Sequence, residues 1–583
     1  MKSMVTVAAI LSAVAVVLLT SSSCRPAPET GADLLLVNGS VYSLSWGEPS
    51  LDGEPAADAP HSEDGWRPDL EAVAVAGGRI VFVGSNADAE AHRGAATRVI
   101  DLRGATVVPG LVDSHAHIQE LGRMKVEVNL VGVETEREAI ERVVRHAAGV
   151  APGDWIVGWG WDEGAWANRY PTAVELSAAF PDNPVALRSL HGFAVWGNEM
   201  ALARAGIDGD TPEPEGGRIL RDDLGRPTGV LIDRATTLLT GAIPETTDEQ
   251  MRAFVLAGLE TMARDGYVAV HQAGADSQFM RAAEALEAEG LLPIRLYAMI
   301  SLRDERLCRT WIERGPKVDD SKLTVRAVKA YYDAALGSRG ARLLEDYSDR
   351  PGHRGVSGAG YGFDQELAAQ MMRAGFQIGI HAIGDAGNRE TLDFLEGVIA
   401  SDPDARAVRH RVEHAQVVHP DDFARFARLG LIAAMQPPHC VEDRTWAEDR
   451  LGPERVRGAY AWRTFRHNGV PLTFSADLAG SDHDIFYGLH AAITRRDKQR
   501  QPPDGWHPEE AMTAEEALRG YTSWSAYAAH WEDSTGVIAL GCWADLTVMD
   551  LDPLEVGDRD PGRLLDGRIL ATVVGGDMVH EAF

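Results

Sequence analysis

Short apolar runs recur through the middle of the chain, at residues 106–113, 267–271, 293–300, 324–331, 375–381, 408–414, 431–436 and 471–477. Stretches of helical periodicity, such as "DQELAAQMMRAG", "NRETLDFLEGVIA" and "PDDFARFARLG", separate several of them. Continuous apolar runs alternating with amphipathic helices mark parallel strands buried on both faces. Eight such units predict an α/β fold, a (β/α)8 barrel of the TIM type. An open doubly wound sheet is the alternative, but no GxGxxG follows a first strand. Both ends of the chain differ from this middle. "DLLLVNGSVYSL", "EAVAVAGGRIVFVG" and "TRVIDLRG" near the start, and "GVIALGCWADLTVMDLDP" and "ILATVVGGDMVHE" near the end, are short strands with glycine turns. Residues 32–103 and 536–583 are therefore expected to pair into one composite β-sandwich domain. The barrel is assigned to 104–122 and 251–535. Residues 123–250, with strands of their own, form a large insertion after the first barrel strand. The segment "WGEPSLDGEPAADAPHSEDGW" lacks periodicity and is read as a mobile loop.

The first 24 residues are set apart from the fold. Lys2, an apolar stretch from Val5 to Leu19, and small residues ahead of Cys24 resemble a bacterial lipoprotein signal. An exported protein is expected, anchored to a membrane by lipid on Cys24 and facing the periplasm or the cell exterior. The formal net charge of −31 argues against nucleic acid as a partner, because that binding needs cationic contacts to phosphates. Cys308, Cys440 and Cys542 are too scattered for a disulfide framework or a paired zinc-ligand spacing and are read as buried thiols.

The polar residues that close the apolar runs carry the chemistry. "VVPGLVDSHAHI" ends in His115 and His117, which share one face of a strand. His271, Lys329, His381, His414 and Asp477 stand at the ends of other runs, and His439 lies just past one. Active sites of such barrels sit at the carboxyl ends of the strands. Imidazoles and a carboxylate converging there suit zinc or a similar divalent ion. Lys329 shares parity with Val325, Ala327, Tyr331 and Asp333. An inward lysine must be paired or neutralised: with Asp333, with Asp477, or by reaction with CO2.

With "WIVGWGWDEGAW", "RILRDDLGRPTGVL", "AVKAYYDAALGSRGA", "GIHAIGDAGNRETLD", "RHRVEHAQ", "MQPPH", "ITRRD" and "ADLTVMDLDP" added, the sequence resembles the amidohydrolase superfamily. The resemblance is to its YtcJ-like branch (amidohydrolase family 3), which includes N-substituted formamide deformylases, and it covers nearly the whole mature chain. It implies metal ligands at His115, His117, His381, His414 and Asp477. It also implies one or two divalent ions, zinc first, with N6-carboxylated Lys329 as a bridge when two are bound. The sequence departs from the branch at His191 and Phe193 in "SLHGFAVWGN", at Gln272 in "VHQAG" and at Ala334 in "YYDAALG". Asp482 competes with Asp477 for the eighth strand, but only Asp477 directly follows the apolar run.

The expected reaction is hydrolysis of an amide, formamide or cyclic-amide C–N bond in a small molecule by metal-activated water. Asp477 is the catalytic residue, acting as general base and then general acid. Substrate-side candidates are His439, Arg339, Trp161 and His191. His439 could meet an oxyanion or cap its loop. Arg339 could meet a substrate carboxylate, or pair with Asp346 or another acid. Trp161 belongs to a tryptophan-rich group that is either a pocket wall or the core of the insertion. The competing functions are a metal-loaded binding lipoprotein without turnover, and a lyase or isomerase on the same metal site.

Overall fold

The computed structural model describes residues 31–162, 166, 170–190, 192–356 and 358–583. The leader with Cys24, and His191, lie outside the described residues. All eight apolar runs contain strands of a single sheet: β1 (Leu111–Ala116), β2 (Tyr267–Ala275), β3 (Arg295–Ser301), β4 (Leu323–Tyr331), β5 (Gln377–Ala382), β6 (Arg411–His414), β7 (Ile432–Met435) and β8 (Leu472–Phe474). Neighbours in the chain are neighbours in the sheet, and the ladders are parallel. The sheet curls into a TIM-type barrel. Closure from β8 to β1 is made largely by side chains. Ser114 Oγ donates to the Phe474 carbonyl at 2.8 Å, and Asp113 Oδ2 accepts from the Ala476 N–H at 3.0 Å. One parallel bridge, Ala116 to Leu478, completes the seam.

The run 106–113 is two strands, not one. Thr106–Pro109 pairs antiparallel with Leu546–Met549, outside the barrel, and β1 begins after Gly110. A Cβ on Gly110 would lie 2.3 Å from the Val268 side chain, so only glycine lets the chain pass at this point. Strands from both ends of the chain share one five-stranded sheet: Ser40–Val41, Thr106–Pro109, Leu546–Met549, Ile569–Val574 and Asp577–Glu581. A four-stranded sheet of Arg79–Gly84, Ala72–Ala76, Leu34–Val37 and Arg98–Asp101 contributes Leu34, Leu36, Val73 and Val75 to the same apolar cluster as Val107, Leu546, Val548 and Val573. Arg295, at the start of β3, ties this unit to the barrel. It is buried against Asp545 at 2.6 Å and lies over the Trp543 ring.

Residues between β1 and β2 build a separate six-stranded sheet with its own core. Helices Ile118–Val126 and Asp248–Arg264 flank it and pack on each other. A Cβ on Gly122 would meet the Phe254 carbonyl at 1.6 Å, and one on Gly258 the Ile118 carbonyl at 2.4 Å. Two glycines thus bring the helix backbones into contact. The assigned edges of the insertion, 123 and 250, cut through these two helices. Trp161, Trp166 and Trp196 pack together in the core of this unit, Trp196 edge-on to the other two, and the Trp161 Nε1–H donates to the Leu187 carbonyl. Fully buried and with its N–H satisfied, Trp161 belongs to the core of the insertion, which corrects its candidacy as a substrate residue. The stretch read as a mobile loop is docked: Trp46 and Trp66 at its ends are buried and donate to Glu515 and Asp558 at 2.7 Å. Among the described residues, no helix is long and apolar enough to cross a membrane.

Candidate active site

His115, His117, Lys329, His381, His414, His439 and Asp477 meet at the carboxyl ends of the barrel strands. His117 Nε2 lies 3.2 Å and His115 Nε2 3.6 Å from Asp477 Oδ1, while His439 Nε2 lies 3.8 Å from Oδ2. The His414 ring is 4.4 Å from that of His381 and 4.9 Å from that of His115, centroid to centroid. Two groups have ligand-type atoms within 4.8 Å of one another: His115, His117 and Asp477, and His414, His439 and Asp477. Asp477 belongs to both. Asp482 lies beyond, paired with Lys498.

Two of the convergent residues depart from strand geometry. On β6, Arg411 and Glu413 already point into the barrel, so the next residue should point out. His414 points in because its backbone is left-handed, with φ at 72°; Asp477 does the same with φ at 57°. Such conformations cost about 1–3 kcal/mol in a residue other than glycine and persist where the surroundings hold them.

The protonation states follow from the partners. Glu413 can only accept when ionised, so the His115 Nδ1, 2.5 Å from Glu413 Oε2, carries the hydrogen. The Nε2 lone pair then faces Lys329 Nζ at 2.9 Å. Gln436 donates its amide to the Ala434 carbonyl and Ser475 Oγ, so its Oε1 accepts from His414 Nδ1 at 2.8 Å. That too leaves the His414 Nε2 lone pair free. Burial, with Lys329 nearby, pushes the His115 pKa down to about 4. Burial likewise holds His381 and His414 well below the ordinary imidazole range. Burial alone would raise the Asp477 carboxyl, but His115, His117 and His414 outweigh it and hold it well below the carboxylate range. Burial lowers the Lys329 ammonium to about 8, against the opposing pull of Glu413 and Asp477.

These residues fit a divalent ion. Burial keeps the His115, His381 and His414 imidazoles neutral, Glu413 and Gln436 hold the Nδ1 hydrogens of His115 and His414, and His381 Nε2 is buried with no hydrogen-bond partner. Neutral imidazole nitrogens and an ionised carboxylate are the donor set that zinc-type ions take.

Arg411 and Glu413, at the centre of the supporting layer, were not among the sequence candidates. Arg411 is fully buried and donates to Glu413 Oε1 at 2.7 Å, to the Ser114 carbonyl at 2.7 Å and to His271 Nδ1 at 2.9 Å. His271 therefore serves this network below the site. Asp113 accepts from the His115 N–H and steadies β1 from beneath. Asp333 is no partner of Lys329. Its carboxylate accepts the N–H groups of Arg342, Ile383 and Gly384 and fixes the turn after β5. Arg339 is also corrected, because its guanidinium is committed to Asp349 through two bonds of 3.0 and 2.7 Å.

A parallel eight-stranded barrel with neutral imidazoles and an ionised aspartate gathered at its carboxyl end is the scaffold of a metal-dependent hydrolase. Comparison with known proteins identifies the class more closely. Residues 98–580 match the amidohydrolase family, and the chain belongs to that family. It is 31% identical to the amidohydrolase YtcJ of Bacillus subtilis (strain 168), over 88% of this chain and 96% of that one. It is 28% identical to the N-substituted formamide deformylase of Arthrobacter pascens, over 88% and 95%. An uncharacterised metal-dependent hydrolase of Pyrococcus furiosus superposes with a TM-score of 0.70 at 26% identity, covering 89% of this chain and 99% of its own. The protein is a hydrolase acting on carbon–nitrogen bonds.

Proposed function

We propose that the enzyme hydrolyses an amide, formamide or cyclic-amide bond of a small molecule, with Asp477 as the proton carrier. His115, His117, His381, His414 and Asp477 would hold the metal, zinc in the first instance. A divalent ion at such a site supplies an acidified water and polarises the substrate carbonyl. Asp477 takes the proton of the attacking water on its carboxylate and later delivers it to the leaving nitrogen. His439, beside Asp477, would steady charge developing on the carbonyl oxygen. Glu413 and Gln436 keep His115 and His414 in the tautomers that present Nε2. The low pKa of Lys329 makes its neutral amine accessible to CO2. That reaction forms an N–C bond, breaks an N–H bond with release of its proton, and turns the neutral amine into an anion. The leader pattern supports export and a lipid anchor at Cys24.

One observation carries the reading: an ionised Asp477 stands within 3.2 to 3.8 Å of ring nitrogens of His115, His117 and His439. Pure binding needs no proton carrier there. Zinc-supplied protein is expected to turn over at least one member of a panel of N-formyl and N-acyl amines. Asp477→Asn should then lower kcat by about 10²- to 10⁴-fold without lowering Tm. Tight metal binding with no turnover across the panel would overturn the reading in favour of a binding protein. Failure of the product to gain oxygen from labelled water would point to a lyase or isomerase.

A further inference from the structure

Arg303 lies in the loop just past β3, level with the site: Ser301 at the end of β3 is in register with Lys329, and the Leu302 N–H donates to the Lys329 carbonyl. Its side chain is exposed and rests against two aromatic rings, with Cζ 4.2 Å from the Tyr331 ring centre and 5.2 Å from that of Tyr361. Tyr331 has the parity of Lys329 and leans over the barrel axis. Its ring is 4.9 Å from Lys329 Nζ and 5.7 Å from the His381 ring. One tyrosine therefore separates the guanidinium from the catalytic cluster.

Among the described residues, no carboxylate lies within ion-pairing distance of Arg303. The arginines of the other loops at this end differ. Arg339 and Arg450 share Asp349, Arg342 faces Glu390, and Arg444 holds Asp497. In a chain of net charge −31, a guanidinium at the mouth of the site with no acid partner among the described residues stands out electrostatically. Both rings lie within cation–π reach of the guanidinium and restrain it, and the exposed side chain leaves its N–H groups open to a ligand. Those groups are the part that binds a carboxylate through two parallel hydrogen bonds.

We propose that Arg303, on its Tyr331–Tyr361 platform, is a specificity-determining residue that binds a carboxylate carried by the substrate a few bonds from the scissile amide. This takes the place of the substrate role considered for Arg339, and it rests on the hydrolase reading given above. The preferred substrates are then acylated amines that bear an acid, rather than neutral ones.

The test compares N-formylbenzylamine with N-formylphenylglycine, which differ by one carboxylate. Zinc-supplied wild type is expected to favour the acid in kcat/KM. Arg303→Gln should lower kcat/KM for the acid by about 10- to 100-fold and change that for the neutral compound little, with Arg303→Lys recovering part of the loss. Equal effects on both compounds, or no preference in the wild type, would overturn the proposal. Calorimetric binding of N-formylphenylglycine to wild type and Arg303→Gln separates the two readings. Binding that depends on Arg303 without turnover would sink the hydrolase reading and keep the anion site. Turnover of the neutral compound with no Arg303-dependent binding of the acid would do the reverse.

Discussion

His115 is gripped from both ends, by Glu413 at Nδ1 and by Lys329 at Nε2. Glu413 in turn is fixed by Arg411. Removing the Glu413 charge should loosen the tautomer of His115 before it affects the fold. Glu413→Gln is expected to weaken zinc affinity by about 10- to 100-fold, read by competition with a chromogenic chelator. An unchanged affinity would mean that Glu413 only balances Arg411. Lys329 offers a second check. If its amine carries CO2, activity at pH 6 in CO2-depleted buffer should fall and return on adding bicarbonate, and Lys329→Ala should abolish the response. The strand-end residues that converge on the site were legible in the sequence because a histidine or aspartate closing an apolar run is anomalous in its own segment. Arg411, Glu413 and Arg303 were not, because their meaning lies in partners on other strands. Glu413 meets β1, and Arg303 meets a tyrosine on β4.

At the scale of elements, the apolar runs were readable because a parallel strand buried on both faces leaves a continuous hydrophobic signature. The division of 106–113 at Gly110 was hidden. It depends on the approach of Val268, more than a hundred residues away. The docked segment from Trp46 to Trp66 was hidden for a similar reason. It has no periodicity, and two indole N–H groups bonded to distant carboxylates hold it instead. The contact between helices Ile118–Val126 and Asp248–Arg264 makes a sharper forecast. Gly122→Ala forces a methyl into the Phe254 carbonyl and should destabilise the protein by at least about 1–3 kcal/mol, the usual range for overpacking, in urea unfolding. A smaller loss would show that the helices separate freely.

For the whole molecule, the strands from the two chain ends and the barrel are linked through the buried Arg295–Asp545 pair, reinforced by the Gly575 N–H on Asp545. Asp545→Ala leaves Arg295 charged and buried without its acid. The expected loss is about 3–5 kcal/mol, visible as a lower unfolding midpoint, with the Arg295→Met, Asp545→Leu double variant recovering much of it. The terminal sheets thus act as a clamp on the amino end of β3, whose carboxyl end delivers Arg303 to the mouth of the site.

The central claim is that groups from β1, β5 and β6 and the residue just past β8 hold a metal together at one end of the barrel. Anomalous diffraction at the zinc edge, from crystals grown with zinc, tests it directly. The expected result is a peak about 2.0–2.2 Å from nitrogens of His115, His117, His381 or His414 and an oxygen of Asp477. Zinc bound only elsewhere on the protein, with these side chains empty, would contradict it.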